Sequence, residues 1–395
     1  MPQSATVNGK KRPSLSIMLH PARAVRRKLE NRSGQVPSAD LSCADSMTSV
    51  SYTKVSATVF EGGPDRSSTR ATRGTGEDPG THMTEHILSA MPTHSRWNRA
   101  LAPRLVVEPG DTVHLECLDS SGAQVHPTMT LPEYLAIDRG RIHALTGPIF
   151  VKGAEPGDVL QVDVLAVTHK GWGWSSVVPG LGFLKNRFSD PSFFLWQLES
   201  EVSRSLMPAV VPLRPFCGVM GVAPAEEGEF RTRPPGRFGG NMDVRELSSG
   251  ATLYLPVLNS GALFSAGDAH AAQGDGEVCI NGIECPADVT LRFSLHRQQS
   301  LEGPLLESVG RRLANDADGD AWVVIESATD ALAAARSATS RMIDLLASRW
   351  GFSEVHAYIL CSVAMNLRFS QVVNEPIFTV HAEMSKHVLP VRKLF

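Results

Sequence analysis

The chain has 395 residues, 42% of them hydrophobic and 20% charged, with a formal net charge of −3. That apolar share is enough for a sizeable core, and the near-neutral balance gives no field that would draw nucleic acid. No apolar run reaches the length of about eighteen residues that a membrane span needs, so neither partner is expected.

Residues 1–82 differ in texture from the rest. Lys, Arg, Ser, Thr, Gly and Pro dominate, periodic apolar runs are absent, and a disordered extension is expected. No acid precedes Glu30, whereas Lys10, Lys11, Arg12, Arg23, Arg26, Arg27 and Lys28 do, which would suit an organellar transit peptide. A solvated basic tail is the simpler reading. None of the cysteines Cys43, Cys117, Cys217, Cys279, Cys285 and Cys361 stands in a C-x-x-C pair, so neither a zinc ribbon nor a dense disulfide framework is indicated. A reduced, cytoplasmic protein is expected.

From Thr93 onward short apolar runs alternate with Gly and Pro. Leu105-Val106-Val107, Pro109-Gly110-Asp111 and Thr112 to Cys117 read as strand, turn, strand, and the pattern returns at Ile149 to Val151, Pro156-Gly157-Asp158 and Val159 to Val164. This echo predicts two similar β-hairpins. Further strands are expected at Leu253 to Val257 and Val289 to Leu295. After Leu301 the pattern changes: Thr329 to Trp350 has helical periodicity, and a second helix is expected from about Ser353, a suitable N-cap, to Asn366. Strand-like pieces follow at Phe369 to Val373 and Ile377 to Val380. The expectation is a predominantly β fold, α+β overall: a β-sandwich or barrel body over residues 83–300 and a smaller α+β part over 301–395.

The segment Gly267-Asp268-Ala269-His270-Ala271-Ala272-Gln273-Gly274-Asp275-Gly276-Glu277 is the chemical centre of the sequence. Unpaired buried charge is costly, so this density of ionisable groups suits a site better than a core. Asp268 and His270 are two apart, which puts them on one face of a strand; Asp275 and Glu277 repeat the spacing. Carboxylates and imidazole together accept a divalent cation and leave a position open for water. The plain alternative is a solvated turn. Upstream, Gly239-Gly240-Asn241-Met242-Asp243 is a second glycine-rich turn, and the apolar runs Ala251–Val257 and Ala262–Ala266 between the two turns are expected to pair and bring them together. His94, His126 and His143 are single histidines, each more readily a structural residue than a ligand. Trp172 and Trp174 could wall a pocket or lie in the core. Cys279, placed with Cys285 on an apolar strand, reads as a buried inert thiol. No G-x-S-x-G, P-loop, H-E-x-x-H or G-x-G-x-x-G signature occurs.

Taken in order, Pro109-Gly110-Asp111-Thr112-Val113, Thr146 to Asp158 (TGPIFVKGAEPGD), Val211 to Pro224 (VPLRPFCGVMGVAP), Gly239 to Asp243 and Gly267 to Cys279 resemble the acetamidase/formamidase family from about Thr93 to Pro390. The resemblance implies hydrolysis of short aliphatic amides to ammonia and a carboxylic acid, a mostly β body, self-association, and functional residues Asn241, Asp243, Asp268, His270, Asp275 and Glu277. Chemistry then suggests roles. Asp243, Asp268 and His270 are candidate ligands of a divalent metal ion, zinc before others, with no organic cofactor. Glu277 is the candidate general base, Asn241 the donor to a developing oxyanion, and Asp275 a further catalytic candidate. A small amide is the expected partner. The rival readings are a non-catalytic protein that binds a small polar ligand, and a thiol enzyme built on Cys279. Three positions depart from the family pattern: Phe238 where His is common, Asn366 where Asp is usual, and Asn281-Gly282 where small residues are typical.

Overall fold

The structure is a computed structural model that describes residues 83–310, 319–391 and 393–395. The expectation for residues 1–82 lies outside the described residues.

Two open sheets form the body. The larger has nine strands in the order Glu85–Leu88, Thr112–Cys117, Ala287–His296, Val159–His169, Thr252–Pro256, Leu305–Ser308, Ala321–Ala328, Phe378–Ser385, Met365–Gln371. The smaller has five, in the order Gly239–Asn241, Phe216–Gly221, Phe264–His270, Leu145–Val151, Leu105–Val107. Neither closes on itself, so the sandwich forms and the barrel does not.

Alternation drives the packing. In Ala287–His296 the residues Val289, Leu291 and Phe293 are buried while Asp288 is exposed, the period of a strand with one face inward. Val113 and Leu115 on one neighbour and Leu160, Val162 and Val164 on the other continue that face. Ile149, Phe216, Met220, Phe264 and Ala266 of the smaller sheet meet them in one core, where the Phe264 and Phe293 rings pack edge to face at 5.3 Å. Each such Phe or Leu contributes about 1.5–3 kcal/mol of burial free energy.

The two Pro-Gly-Asp turns are not hairpins. Each carries the chain from the small sheet to the large one: Leu105–Val107 and Thr112–Cys117 lie in different sheets, as do Leu145–Val151 and Val159–His169. The same device makes both corners. Gly110 and Gly157 take φ of 104° and 98°, values closed to most L side chains. The carboxylates of Asp111 and Asp158 accept from the N–H of Glu108 (2.9 Å) and Glu155 (3.1 Å). The internal echo therefore encodes two stacked sheet-crossing arches, with Leu105–Val107 parallel to Ile149–Val151.

The C-terminal helices match their signals. Ala331–Trp350 starts at Asp330, which accepts from the N–H of Ala333 at 2.8 Å, and stops at Gly351 with φ 76°. Glu354–Ala364 is capped by Ser353 and ends before Met365, where a strand begins. Ala338, Met342 and Leu346 of the first helix pack on Val324, Ala382 and Met384. The strands after residue 301 extend the large sheet: Leu305–Ser308 pairs with Thr252–Pro256. Among the described residues no helix is long and apolar enough to cross a membrane.

Candidate active site

The site lies at one end of the small sheet, where the expected pairing is replaced by a different one. The run around Thr252–Pro256 belongs to the large sheet and that around Phe264–His270 to the small one, so they do not pair. The intervening strand Phe216–Gly221 joins the two glycine-rich turns instead, pairing with Gly239–Asn241 on one side and Phe264–His270 on the other. Gly218 sits at the crossing. A Cβ there would stand 2.6 Å from Asp243 Oδ1 and 3.0 Å from Asp268 Oδ2, so only glycine lets both carboxylates close over the strand.

Asp243, Asp268 and Glu277 have left-handed backbones, with φ of 51°, 55° and 48°. Asp tolerates this region; for Glu it is strained, and such strain gathers at functional sites. Within the strand Phe264–His270, Asp268 stands where the register with Phe216–Gly221 skips a pair, and its Oδ1 lies 3.7 Å from His270 Nε2. His270 Nε2 also lies 2.9 Å from Glu284 Oε1, and His143 Nε2 lies 3.8 Å from Asp268 Oδ2. Gln273 faces His270 Nδ1 at 2.8 Å and donates to the carbonyls of Asp243 (2.8 Å) and Ser370 (3.2 Å). Asn374 donates to Asp243 Oδ2 at 2.8 Å and is itself held by Arg233.

Asp243, Asp268, Glu277 and Glu284 are all buried, and this collects negative charge where it is poorly solvated. Burial, against the pull of His270 and with the push of Asp268 and Glu284, raises Asp243 to about 8. Burial likewise raises Glu284 to about 7 and holds Glu277 well above the ordinary carboxylate range, with Asp243 beside it. Burial would raise Asp268 too, but His143 and His270 outweigh it and keep this carboxyl ionised. His270 stays well above its usual value despite burial because Glu284 and Asp268 face it, and burial pushes His143 down.

Three observations fit a divalent ion. Buried Asp243 Oδ1 and Asp268 Oδ1 have no hydrogen-bond partner, and His270 Nε2 meets only carboxylates, Glu284 Oε1 at 2.9 Å and Asp268 Oδ1 at 3.7 Å. Asp243, Asp268 and His270 offer ligand atoms within 4.8 Å of one another, and His270, Glu277 and Glu284 form a second such group. The donor set, imidazole nitrogen with carboxylate oxygens, is that of zinc and related ions. Gln273, at 2.8 Å from His270 Nδ1, stands where an outer hydrogen bond would orient such a ligand.

Asn241, buried with its Oδ1 unpartnered, lines the same cavity of about 490 Å³ as Asp243, Asp268, Glu277 and Glu284. Asp275 is not brought there; it is exposed and pairs with Arg245 (2.9 Å) and Arg368 (3.3 Å). Trp174 lines the cavity, with its Nε1 donating to Asp119 at 3.1 Å. Trp172 packs outside the lining, and Phe238 stacks edge-on against Trp97. Asn281, one of the departures, does line it. Cys279 lies on no strand; it is half-exposed in a turn, so the expected buried strand of Cys279 and Cys285 does not form.

Glu284, Gln273, Asn374 and His143 complete the cluster beyond the sequence-derived set. Glu284 reaches it because its backbone bridges both His270 and Trp174. In sequence it is one Glu among loop residues and carries no signal. Gln273 lies within Gly267–Glu277, and its spacing of three from His270 is the one available hint.

A sequence profile described as the Acetamidase/Formamidase family matches residues 81–229 and 225–389. A putative formamidase of Schizosaccharomyces pombe is 30% identical over 260 residues, 51% of this chain. The chain spans 63% of that relative's length. An acetamidase of Mycolicibacterium smegmatis is 27% identical over 352 residues, covering 69% of this chain and 85% of the relative. The crystal structure of an acetamidase from Bacillus halodurans superposes with a TM-score of 0.70 at 33% identity, covering 76% of this chain and 98% of that one. With the profile running through both glycine-rich turns, the chain belongs to the acetamidase/formamidase family.

Proposed function

We propose that the protein hydrolyses a small linear amide to ammonia and a carboxylic acid. The observation that supports this most is the buried cluster of Asp243, Asp268 and His270, whose ligand atoms lie within 4.8 Å of one another and whose two carboxylates line the cavity, in a chain of this family. Asp243, Asp268 and His270 would hold a divalent ion, zinc first among candidates. Such an ion supplies a polarised carbonyl and a bound water of lowered pKa.

The chain's own groups do the remaining work. Glu277, held well above the ordinary carboxylate range by burial and by Asp243 beside it, takes a proton from water and delivers it to the departing nitrogen. Asn241 donates from Nδ2 to the oxygen on which charge develops. Glu284 positions His270. Trp174 and Tyr134 cover one wall and exclude water. Cys279 is absent from the cavity lining, and burial raises its thiol pKa, so a thiol mechanism has no support here. A cytoplasmic location is proposed on the free thiols of Cys117, Cys217, Cys279, Cys285 and Cys361. Self-association is proposed on an exposed apolar face discussed below.

Ammonia release from formamide and acetamide, read beside metal content, tests the mechanism. His270→Ala should lose metal and activity together. Glu277→Gln should keep its metal while kcat falls by about 10² to 10⁴. A His270→Ala protein with full metal content and full turnover refutes the site.

A further inference from the structure

The cavity is larger than a small neutral amide requires, and its open end carries positive charge that such an amide does not use. A volume of about 490 Å³ falls in the range that accommodates drug-sized ligands, whereas formamide would occupy a small part of it. Its buried end is the carboxylate–imidazole cluster. Its exposed end carries the guanidinium groups of Arg96, Arg139 and Arg231, with Arg233 between the two.

Arg96 and Arg231 stand directly opposite each other on a ribbon of two short antiparallel strands, Arg96–Trp97 and Phe230–Arg231. Like charges at that position repel and weaken the pairing. Among the described residues neither has a carboxylate within ion-pair distance, and the same holds for Arg139. Arg139 is held in place without one: it donates to Tyr134 Oη at 3.0 Å, and its guanidinium lies 4.6 Å above the Tyr134 ring. Arg233 differs, since it is spent on Asn374 and the carbonyl of Val373 and feels Glu277 and Asp243. So three unneutralised guanidinium groups converge on the open end of a cavity whose closed end holds the chemistry.

We infer that the preferred substrate is a primary amide whose acyl chain ends in a carboxylate. Its amide lies at the buried cluster, its carboxylate between Arg96, Arg139 and Arg231. A guanidinium matches a carboxylate through paired hydrogen bonds, and the anion would relieve the repulsion between Arg96 and Arg231. Ile142, Val178 and Leu181 give the connecting methylenes an apolar wall. This inference rests on the amide-hydrolase reading and adds the substrate class to it.

The test uses the metal-loaded full chain with succinamate and butyramide, which share a four-carbon chain and differ in the terminal carboxylate. The kcat/KM for succinamate should exceed that for butyramide by about tenfold or more, the worth of a hydrogen bond to a charged group. The advantage should lie mainly in KM, because the contact is remote from the reacting carbon. Arg139→Gln and Arg231→Gln should each bring the ratio toward one; both side chains are exposed, so the core is spared. Equal rates for the two amides, or a preference unchanged in both variants, overturns the inference. Calorimetric binding to Glu277→Gln separates this from failure of the underlying reading. If no amide releases ammonia, the hydrolase reading falls. Tighter binding of succinamate than butyramide, lost on adding Arg231→Gln, would still support the anion site, and equal binding would overturn it.

Discussion

Gln273 fixes the tautomer of His270. Its amide nitrogen is committed to two backbone carbonyls, so its oxygen faces Nδ1, and only a protonated Nδ1 satisfies it. That leaves Nε2 toward Asp268 and Glu284, where a metal ion would displace its proton. The raised pKa values carry a stability consequence. The unfolded chain ionises its carboxyls near pH 4 and its imidazoles near 6.5. Between pH 6.5 and 8 the metal-free native state therefore holds protons on Asp243, and in the lower part of that window on Glu284, that the unfolded chain has lost. With more protons bound in the native state, stability falls as pH rises. His143, pushed down by burial, acts in the opposite sense only below about pH 6.5. Chelator-treated protein should thus lose Tm from pH 6.5 to 8, and added zinc should abolish the loss by favouring the ionised forms. A metal-free Tm that rises across this window contradicts the assignment.

At the scale of elements, the strand Phe216–Gly221 is the hinge on which the two turns meet. Gly218→Ala would thrust a methyl group between Asp243 and Asp268. Overpacking of this kind costs about 1–3 kcal/mol, but the larger effect should be on the site: metal content and kcat/KM are expected to fall at least tenfold, read by metal analysis and ammonia release. Full metal content in that variant would show that the carboxylates do not need this approach. The sequence announced the elements well where a local rule decides them. Helical periodicity places the helix that ends at Trp350, Ser353 caps the next, and the strand expected over Val289 to Leu295 forms with Val289, Leu291 and Phe293 inward. Asp268 and His270 were legible because they are two apart on one strand. What was hidden is non-local. Nothing in Pro-Gly-Asp distinguishes a hairpin from a crossing between sheets, since the partner strand decides. Glu284 and Asn374 join the site through backbone bridges and long-range hydrogen bonds that no spacing records. Asp275 misled because its company of glycines and acids resembled a site, whereas Arg245 and Arg368 neutralise it.

At the scale of the whole molecule, an exposed apolar surface among the described residues lies at the end of the large sheet. Val355, Tyr358, Ile359 and Val363 project from the helix Glu354–Ala364, each more than half exposed, beside Leu367 and Phe369 of the terminal strand Met365–Gln371. An apolar helix face next to an open strand edge is the surface on which self-association is proposed. Light scattering on the purified chain should give a mass above that of one copy, and Ile359→Glu with Val363→Glu should reduce it. A monomer at micromolar concentration would exclude self-association through this face.

The bond from Asn374 to Asp243 joins residues 131 positions apart. During translation every ionisable member of the cluster is synthesised by Glu284, yet the clamp on Asp243 and the carbonyl of Ser370 that anchors Gln273 come much later. A nascent chain thus carries the chemistry before it carries the means of holding it still. The proposed site is complete only with the last strands, and a stop codon anywhere before Asn374 would leave a chain with its acids in place and without the bond that holds Asp243.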